Sequence, residues 1–286
     1  MRICLLIYSF VNNNSNKIDI IFAKENSNTM KTDFDYLDSL REEISHGYHE
    51  ANQIVAQAKL NYTYSKAPNG RPSKLCLEDW ILVRTKAFKE KFGDWETAYK
   101  KHFLLYHEAV KQLSGDEFEK QPNMSIIEQV GAYFDLMGNI GLSPLYGEVI
   151  LDRKGIGDSL AHGLGRNKAI AFAAVKEVIE NGILIDYHKN HKGRGYDSAV
   201  ISAPIKILNE RFICYVIIIR SKIANRFYLH EVWTEKSLTS VRSSAAQKQP
   251  SHLQGTAKVL QDIVCASDLP EFFFDENGEP RLEGIE

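Results

Sequence analysis

Two histidines stand in segments whose other residues suit phosphate chemistry. His162 lies in Ser159-Leu-Ala-His-Gly-Leu-Gly-Arg166-Asn-Lys168, and His230 in Asn225-Arg226-Phe-Tyr228-Leu-His-Glu231-Val232. Between them, His188-Lys189-Asn-His191-Lys192-Gly193-Arg194-Gly195-Tyr-Asp197 gathers three cations and two glycines into one loop. Cleavage of RNA by internal attack of the 2′-hydroxyl needs a base, an acid, and cations against the charge of the crowded phosphorane. An imidazole titrates near neutral pH, so a histidine pair can fill both proton roles without a metal. The candidate catalytic residues are therefore His162, His230, Lys168, Arg194 and Tyr228. Candidate substrate-binding residues are Arg166, Lys189, Lys192, Gly193, Gly195 and Arg226. No cofactor is called for, and no metal site is expected: His188 and His191 lack a third ligand at a recognisable spacing.

The local patterns sharpen these assignments. Arg166 and Lys168 fall in the first turn of a helix, where cations oppose the macrodipole. That placement suits an anion bound at the helix N-terminus, or two side chains that simply point into water. Gly193 and Gly195 would let backbone amides approach an anion closely. Strand alternation puts Arg226, Tyr228, His230 and Val232 on one face, and Phe227, Leu229, Glu231 and Trp233 on the other, inward face. The polar row is either plain solvent surface or the floor of a site.

Several elements must hold these residues. A helix opens at Arg166, with Phe172, Val175 and Ile179 on one face and Asn181-Gly182 as its end. Ser198 to Leu208 reads as a strand whose Pro204 belongs at an edge or bulge. The apolar run Phe212 to Ile219 reads as a central strand covered on both sides, and Arg226 to Trp233 completes an antiparallel meander. Gly147 to Leu151 is a short strand, preceded by a broken stretch from Gly138. A helix is expected over Asn123 to Met137 and another over about Gly255 to Ala266.

The first half reads as helical. Leu37, Leu40, Ile44, Tyr48, Ala51, Ile54 and Ala58 recur at helical spacing, predicting one amphipathic helix from Asp33 to about Leu60. Residues 61 to 73 form a turn-rich connector. Phe88 and Phe92 lie one turn apart on a helix that Gly93-Asp94 ends, with Trp95 just beyond. Thr97 to Leu113 is again helical, and residues 114 to 122 have linker composition. The resulting division is an N-terminal extension (1–30), a helical domain (31–121), a helix-plus-meander domain (122–240), and a C-terminal helix with an acidic tail (241–286). The fold class is α+β.

Composition narrows the setting. The charges nearly cancel, 35 basic against 37 acidic residues, so polyanion binding must come from a local patch. Four scattered cysteines without metal spacing read as thiols in a reducing cytosol. The apolar run over residues 1–10 is too short to span a bilayer. It reads as half of a hairpin, or as sequence upstream of a true start at Met30.

The ordered motifs Gly157-Asp-Ser-Leu-Ala-His162-Gly-Leu-Gly-Arg-Asn-Lys168, Ala171-Phe-Ala-Ala-Val175, Ile179-Glu-Asn-Gly182, Lys192-Gly-Arg-Gly-Tyr-Asp197, Ala203-Pro204 and Arg226-Phe-Tyr-Leu-His-Glu-Val232 resemble a domain of large polyvalent proteins carried by phages and other mobile elements. That domain is similar to the barnase, EndoU, colicin and RelE-like nucleases. The likeness spans about residues 147 to 236, roughly a third of the chain. Val83 to Trp95 also resembles a segment that recurs in such proteins, with Lys91 where tryptophan is usual and Lys86 where proline is common.

The resemblance implies a helix followed by an antiparallel sheet, and a metal-independent ribonuclease acting as a toxin or effector in the bacterial cytoplasm. Its partners would be RNA, transfer RNA among the candidates, and an immunity or antitoxin protein. A non-catalytic nucleic-acid-binding or protein-interaction module is the alternative. ADP-ribosyl transfer is a third class, but Arg242-Ser243-Ser244 lacks the strand context it would need.

Overall fold

The computed structural model describes residues 33–45, 49–119, 121–161, 163, 165–221, 225–236, 256–269 and 273–282. The run over 1–22, His162 and Arg242-Ser243-Ser244 lie outside the described residues, as does the side chain of Lys192. The architecture is α+β: helices first, then a curled, mostly antiparallel sheet with further helices packed on it.

The helix expected from Asp33 to Leu60 is seen as α1 (Asp33–Ser45) and α2 (His49–Leu60). Leu37, Leu40, Ile44, Ala51 and Ala58 are buried, as their spacing requires. Next come α3 (Leu77–Leu82) and α4 (Lys86–Phe92), the latter capped by Thr85 Oγ1, which accepts from the Phe88 amide at 3.2 Å. The Phe88 and Phe92 rings pack at a tilt, with centroids 4.6 Å apart. Gly93 ends the helix at φ 91°, where a Cβ would be strained. Trp95 opens α5 (Trp95–Tyr106) and donates from Nε1 to the Val83 carbonyl at 2.6 Å. Arg84 lies over the rings of both Trp80 and Trp95 and pairs with Glu96 at 3.1 Å.

The helix expected to reach Leu113 stops at Tyr106, and residues 112–113 form a strand instead. The Lys111 and Leu113 carbonyls accept from the Lys206 and Leu208 amides, so β1 (Gln112–Leu113) runs parallel along a strand edge. Ladder hydrogen bonds to that open edge win over helical propensity. Two more contacts tie α5 to the sheet: Lys100 Nζ donates to the Ile185 carbonyl at 3.0 Å, and Arg211 Nη2 to the His107 carbonyl at 2.6 Å.

After α6 (Ile126–Leu136), which opens with a Ser125/Glu128 capping box, comes a hairpin of β2 (Ile140–Ser143) and β3 (Gly147–Ile150). Only its second strand was expected. A helix follows that the sequence reading did not contain, α7 (Arg153–Ala161). Then come α8 (Arg166–Ala171), a 3-10 turn (Phe172–Ala174) and α9 (Val175–Asn181), with Phe172, Val175 and Ile179 buried as predicted. Gly182 closes α9 with extended backbone. Its role is clearance, since a Cβ there would stand 2.4 Å from the Val178 carbonyl.

The remaining elements are β4 (Ile183–His188), which was missed, then β5 (Tyr196–Ile207), β6 (Glu210–Ser221), β7 (Phe227–Glu235) and α10 (Ala257–Cys265). The strand order is β1-β5-β6-β7-β3-β2, with β4 also on β5. Both β4 and β1 take the side of β5 away from β6, at residues 198–202 and 206–207. Pro204 sits in the gap between them, so its missing N–H breaks no ladder, and its carbonyl accepts from the Val110 amide at 2.9 Å. β6 is central and buried from Phe212 to Ile218.

Candidate functional site at the β7 bulge

Along β7 the register to β6 slips. Ile217 stands opposite Glu231 and Ile218 opposite Leu229, leaving His230 as the extra residue of a β-bulge. The bulge overturns the simple alternation. Glu231 and Trp233, expected across the sheet from His230, meet Lys168 on α8, while His230 meets Asp158 on the neighbouring α7. Lys168 Nζ on α8 lies 3.7 Å from Glu231 Oε1 and 5.7 Å from the Trp233 ring centroid. His230 Nδ1 lies 3.4 Å from Asp158 Oδ2 on α7. Val232, expected in the polar row, is fully buried.

Close approach of α7 makes this possible. The helix is capped by Asp152, whose Oδ1 accepts from the Gly155 amide at 2.8 Å. Arg153 pairs with Asp135 at 2.7 Å and ties α7 to α6. Gly155 faces β7, where a Cβ would fall 2.2 Å from the Leu229 carbonyl oxygen, so only glycine lets the helix come this near. Ser159 then binds in two directions. Its Oγ accepts from the Val232 amide at 3.0 Å, and its carbonyl accepts from Lys168 Nζ at 2.5 Å.

The electrostatics follow from burial. Glu231 is fully buried, and neither carboxylate oxygen accepts a hydrogen bond. Desolvation pushes its carboxyl from the ordinary 4.5 up to about 7, with the Lys168 charge pulling the other way. Desolvation likewise lowers Lys168, opposed by Glu231. Lys168 is 5% exposed, so it neither points into water nor faces a surface anion. The His230–Asp158 pair differs in being partly exposed: the side chains are 16% and 38% exposed, although His230 Nδ1 itself is buried.

The β4–β5 loop is arranged otherwise. The Gly193 amide donates to the Asn190 carbonyl and the Gly195 amide to Asn190 Oδ1, both at 2.9 Å. Both glycines have positive φ, so they shape the turn, and their amides are already used. Asp197 holds the loop's base, accepting from the Asn190 amide at 2.9 Å and from Arg220 at 3.0 Å. Burial works against its charge, but these partners outweigh it and keep the carboxyl below its ordinary value. Lys189 and Arg194 are exposed, as is Arg226 at the start of β7. Arg166 is exposed too, yet it donates to the Gly115 and Phe118 carbonyls and so fastens the 115–118 turn.

Register places His188, Ser198, Ile219 and Tyr228 in one row across β4, β5, β6 and β7, all on one face. His188 Nε2 lies 3.1 Å from Asp186 Oδ2, and its ring packs 5.2 Å from that of His191. His191 is buried, with Nδ1 3.4 Å from Ser198 Oγ. Three strand spacings, roughly 14 Å, separate β4 from β7. Tyr228 and His230 thus lie along β7, with Arg226 just before it, and Lys189 and Arg194 stand at the far side. Sequence reasoning missed Asp158, Ser159 and Glu231. The available signal was Ile156 and Leu160, one helical turn apart, masked by Gly155 and Gly157.

Residues 137–228 match the family model of large polyvalent protein-associated domain 3. The matched region runs from the end of α6 through Tyr228, taking in α7, α8, the β4–β5 loop and the row above, and stops two residues short of the bulge. No curated protein and no solved structure matches the chain. No helix among the described residues is long and apolar enough to cross a membrane.

Proposed function

We propose that the region from residue 122 to 240 is an RNA-cleaving unit of phage or mobile-element origin, acting in the bacterial cytoplasm without a metal. The observation that carries this reading is the partly open His230–Asp158 pair. A carboxylate beside one ring nitrogen orients an imidazole and supports its protonated form, as a general base requires. His230 takes the proton of a 2′-hydroxyl, and that oxygen attacks the adjacent phosphorus. The bond to the 5′-oxygen breaks, and the leaving oxygen receives a proton from His162, the residue that follows α7 in the chain. Tyr228 and Arg226 lie beside the reacting phosphate. Lys189 and Arg194 draw in the flanking backbone, of transfer RNA among other substrates, and an immunity protein would cover the same face.

The test is incubation of the full chain with single-stranded and transfer RNA in EDTA, beside His230→Ala. Products ending in 2′,3′-cyclic phosphate, lost in the variant, are expected. Equal cleavage by the variant would remove His230 from the reaction. A second reading, a nucleic-acid-binding or protein-interaction module without catalysis, is favoured by the burial of Lys168 and by the spent amides of Gly193 and Gly195. It predicts salt-sensitive RNA binding with intact RNA recovered.

A further inference from the structure

Three chain segments meet at the bulge, and each is held by the other two. Asp158 and Ser159 are consecutive on α7, and they face His230 and the Val232 amide, which flank Glu231. Lys168 on α8 closes the third side, donating to the Ser159 carbonyl and lying against Glu231. A buried lysine beside a carboxylate without hydrogen bonds contributes little to stability compared with well-packed apolar residues. Such a pair does fix geometry, because neither charge can leave the other without standing alone in a desolvated site.

We propose that the buried Lys168–Glu231 pair is the positioning device of His230: it clamps the bulge against α7 and α8 and so holds the imidazole on Asp158. Lys168 and Glu231 are positioning residues that touch no substrate. Among the described residues, the charged groups around the clamp are Asp158 from α7, Lys168 from α8, and His230 and Glu231 from β7. A regular β7 without the extra residue would turn either His230 or Glu231 away from these helices, so the bulge and the pair form one device.

The clamp rests on the RNA-cleaving reading only for what His230 does, and its test separates the two. The NMR titration curve of the His230 ring is measured in the full chain, in Asp158→Asn, in Glu231→Gln and in the combined variant. Glu231→Gln shifts the curve to lower pH in the same direction as Asp158→Asn, and the combined variant shifts it no further than Asp158→Asn alone. On RNA, Glu231→Gln loses about tenfold to a hundredfold in kcat with KM unchanged. Should that variant fail to fold, Lys168→Met/Glu231→Leu keeps the volume, lacks the ion pair, and gives the same shift. An unmoved curve in a folded variant, or strictly additive shifts, overturns the clamp. A clamp confirmed by titration in a chain that leaves RNA intact would sink the RNA reading alone.

Discussion

At the β7 bulge, charge is buried and used for placement: Lys168 lies on Glu231, Ser159 takes both a lysine and a strand amide, and Gly155 lets a helix sit on the strand. In the β4–β5 loop the same residue types lie the other way round. There Lys189 and Arg194 stand in solvent, while the internal bonds of Asn190 and Asp197 shape the turn. Under the proposed clamp, the first region holds one imidazole at one spot. The second is an exposed cationic rim, with Arg194 reaching Tyr196 Oη at 3.5 Å, and under the proposed function it would take the flexible polyanion. A lysine in sequence is thus no guide to its use, since burial decides whether it binds a ligand or a neighbour.

The sharpest way to break this contrast is to remove half of the buried pair. Lys168→Ala or Glu231→Ala leaves a lone desolvated charge and should cost about 3–5 kcal/mol in urea unfolding, with Lys168→Met/Glu231→Leu close to wild type. A loss below about 1 kcal/mol in both single variants would mean that the pair is solvated like the loop. Gly155→Ala comes next, at about 1–3 kcal/mol, because the added methyl meets a backbone carbonyl that has no room to yield.

The pH dependence follows from Glu231, whose carboxyl titrates at about 7 in the fold against an ordinary 4.5. A raised carboxyl holds its proton more tightly when folded, so its stabilisation is complete below about 4.5 and is lost as pH rises through about 7. Lowered Lys168 works with the opposite sign in the alkaline range, where rising pH favours the fold. Urea midpoints taken across the acidic window should decline for wild type and lose that decline in Glu231→Gln. The smallest stability effects belong to the rim. Lys189→Ala and Arg194→Ala should each change stability by less than about 0.5 kcal/mol. Each should also flatten the salt dependence of RNA binding by about one unit of slope.

Much of the sheet was legible because burial on two faces leaves a plain signature. The run Phe212 to Ile219 read as a central strand, and the spacing of Phe172, Val175 and Ile179 marked the buried side of the α8–α9 segment. The site was less legible for local reasons. Two glycines hid α7 from any propensity argument, although one of them is the residue that brings the helix onto β7. The bulge at His230 is one extra residue, which no alternation count reveals, and it moved Glu231 to the side of the helices. The two-residue strand at Gln112–Leu113 owes its form to an edge supplied by residues more than ninety positions later.

The most direct test of the division between a placing region and a binding rim is steady-state RNA cleavage by wild type, Asp158→Asn and Arg194→Ala. The account predicts that Asp158→Asn lowers kcat and leaves KM in place, whereas Arg194→Ala raises KM and leaves kcat. The reverse pattern, with kcat lost at Arg194 and only KM changed at Asp158, would put the chemistry in the β4–β5 loop and contradict the assignment to the bulge.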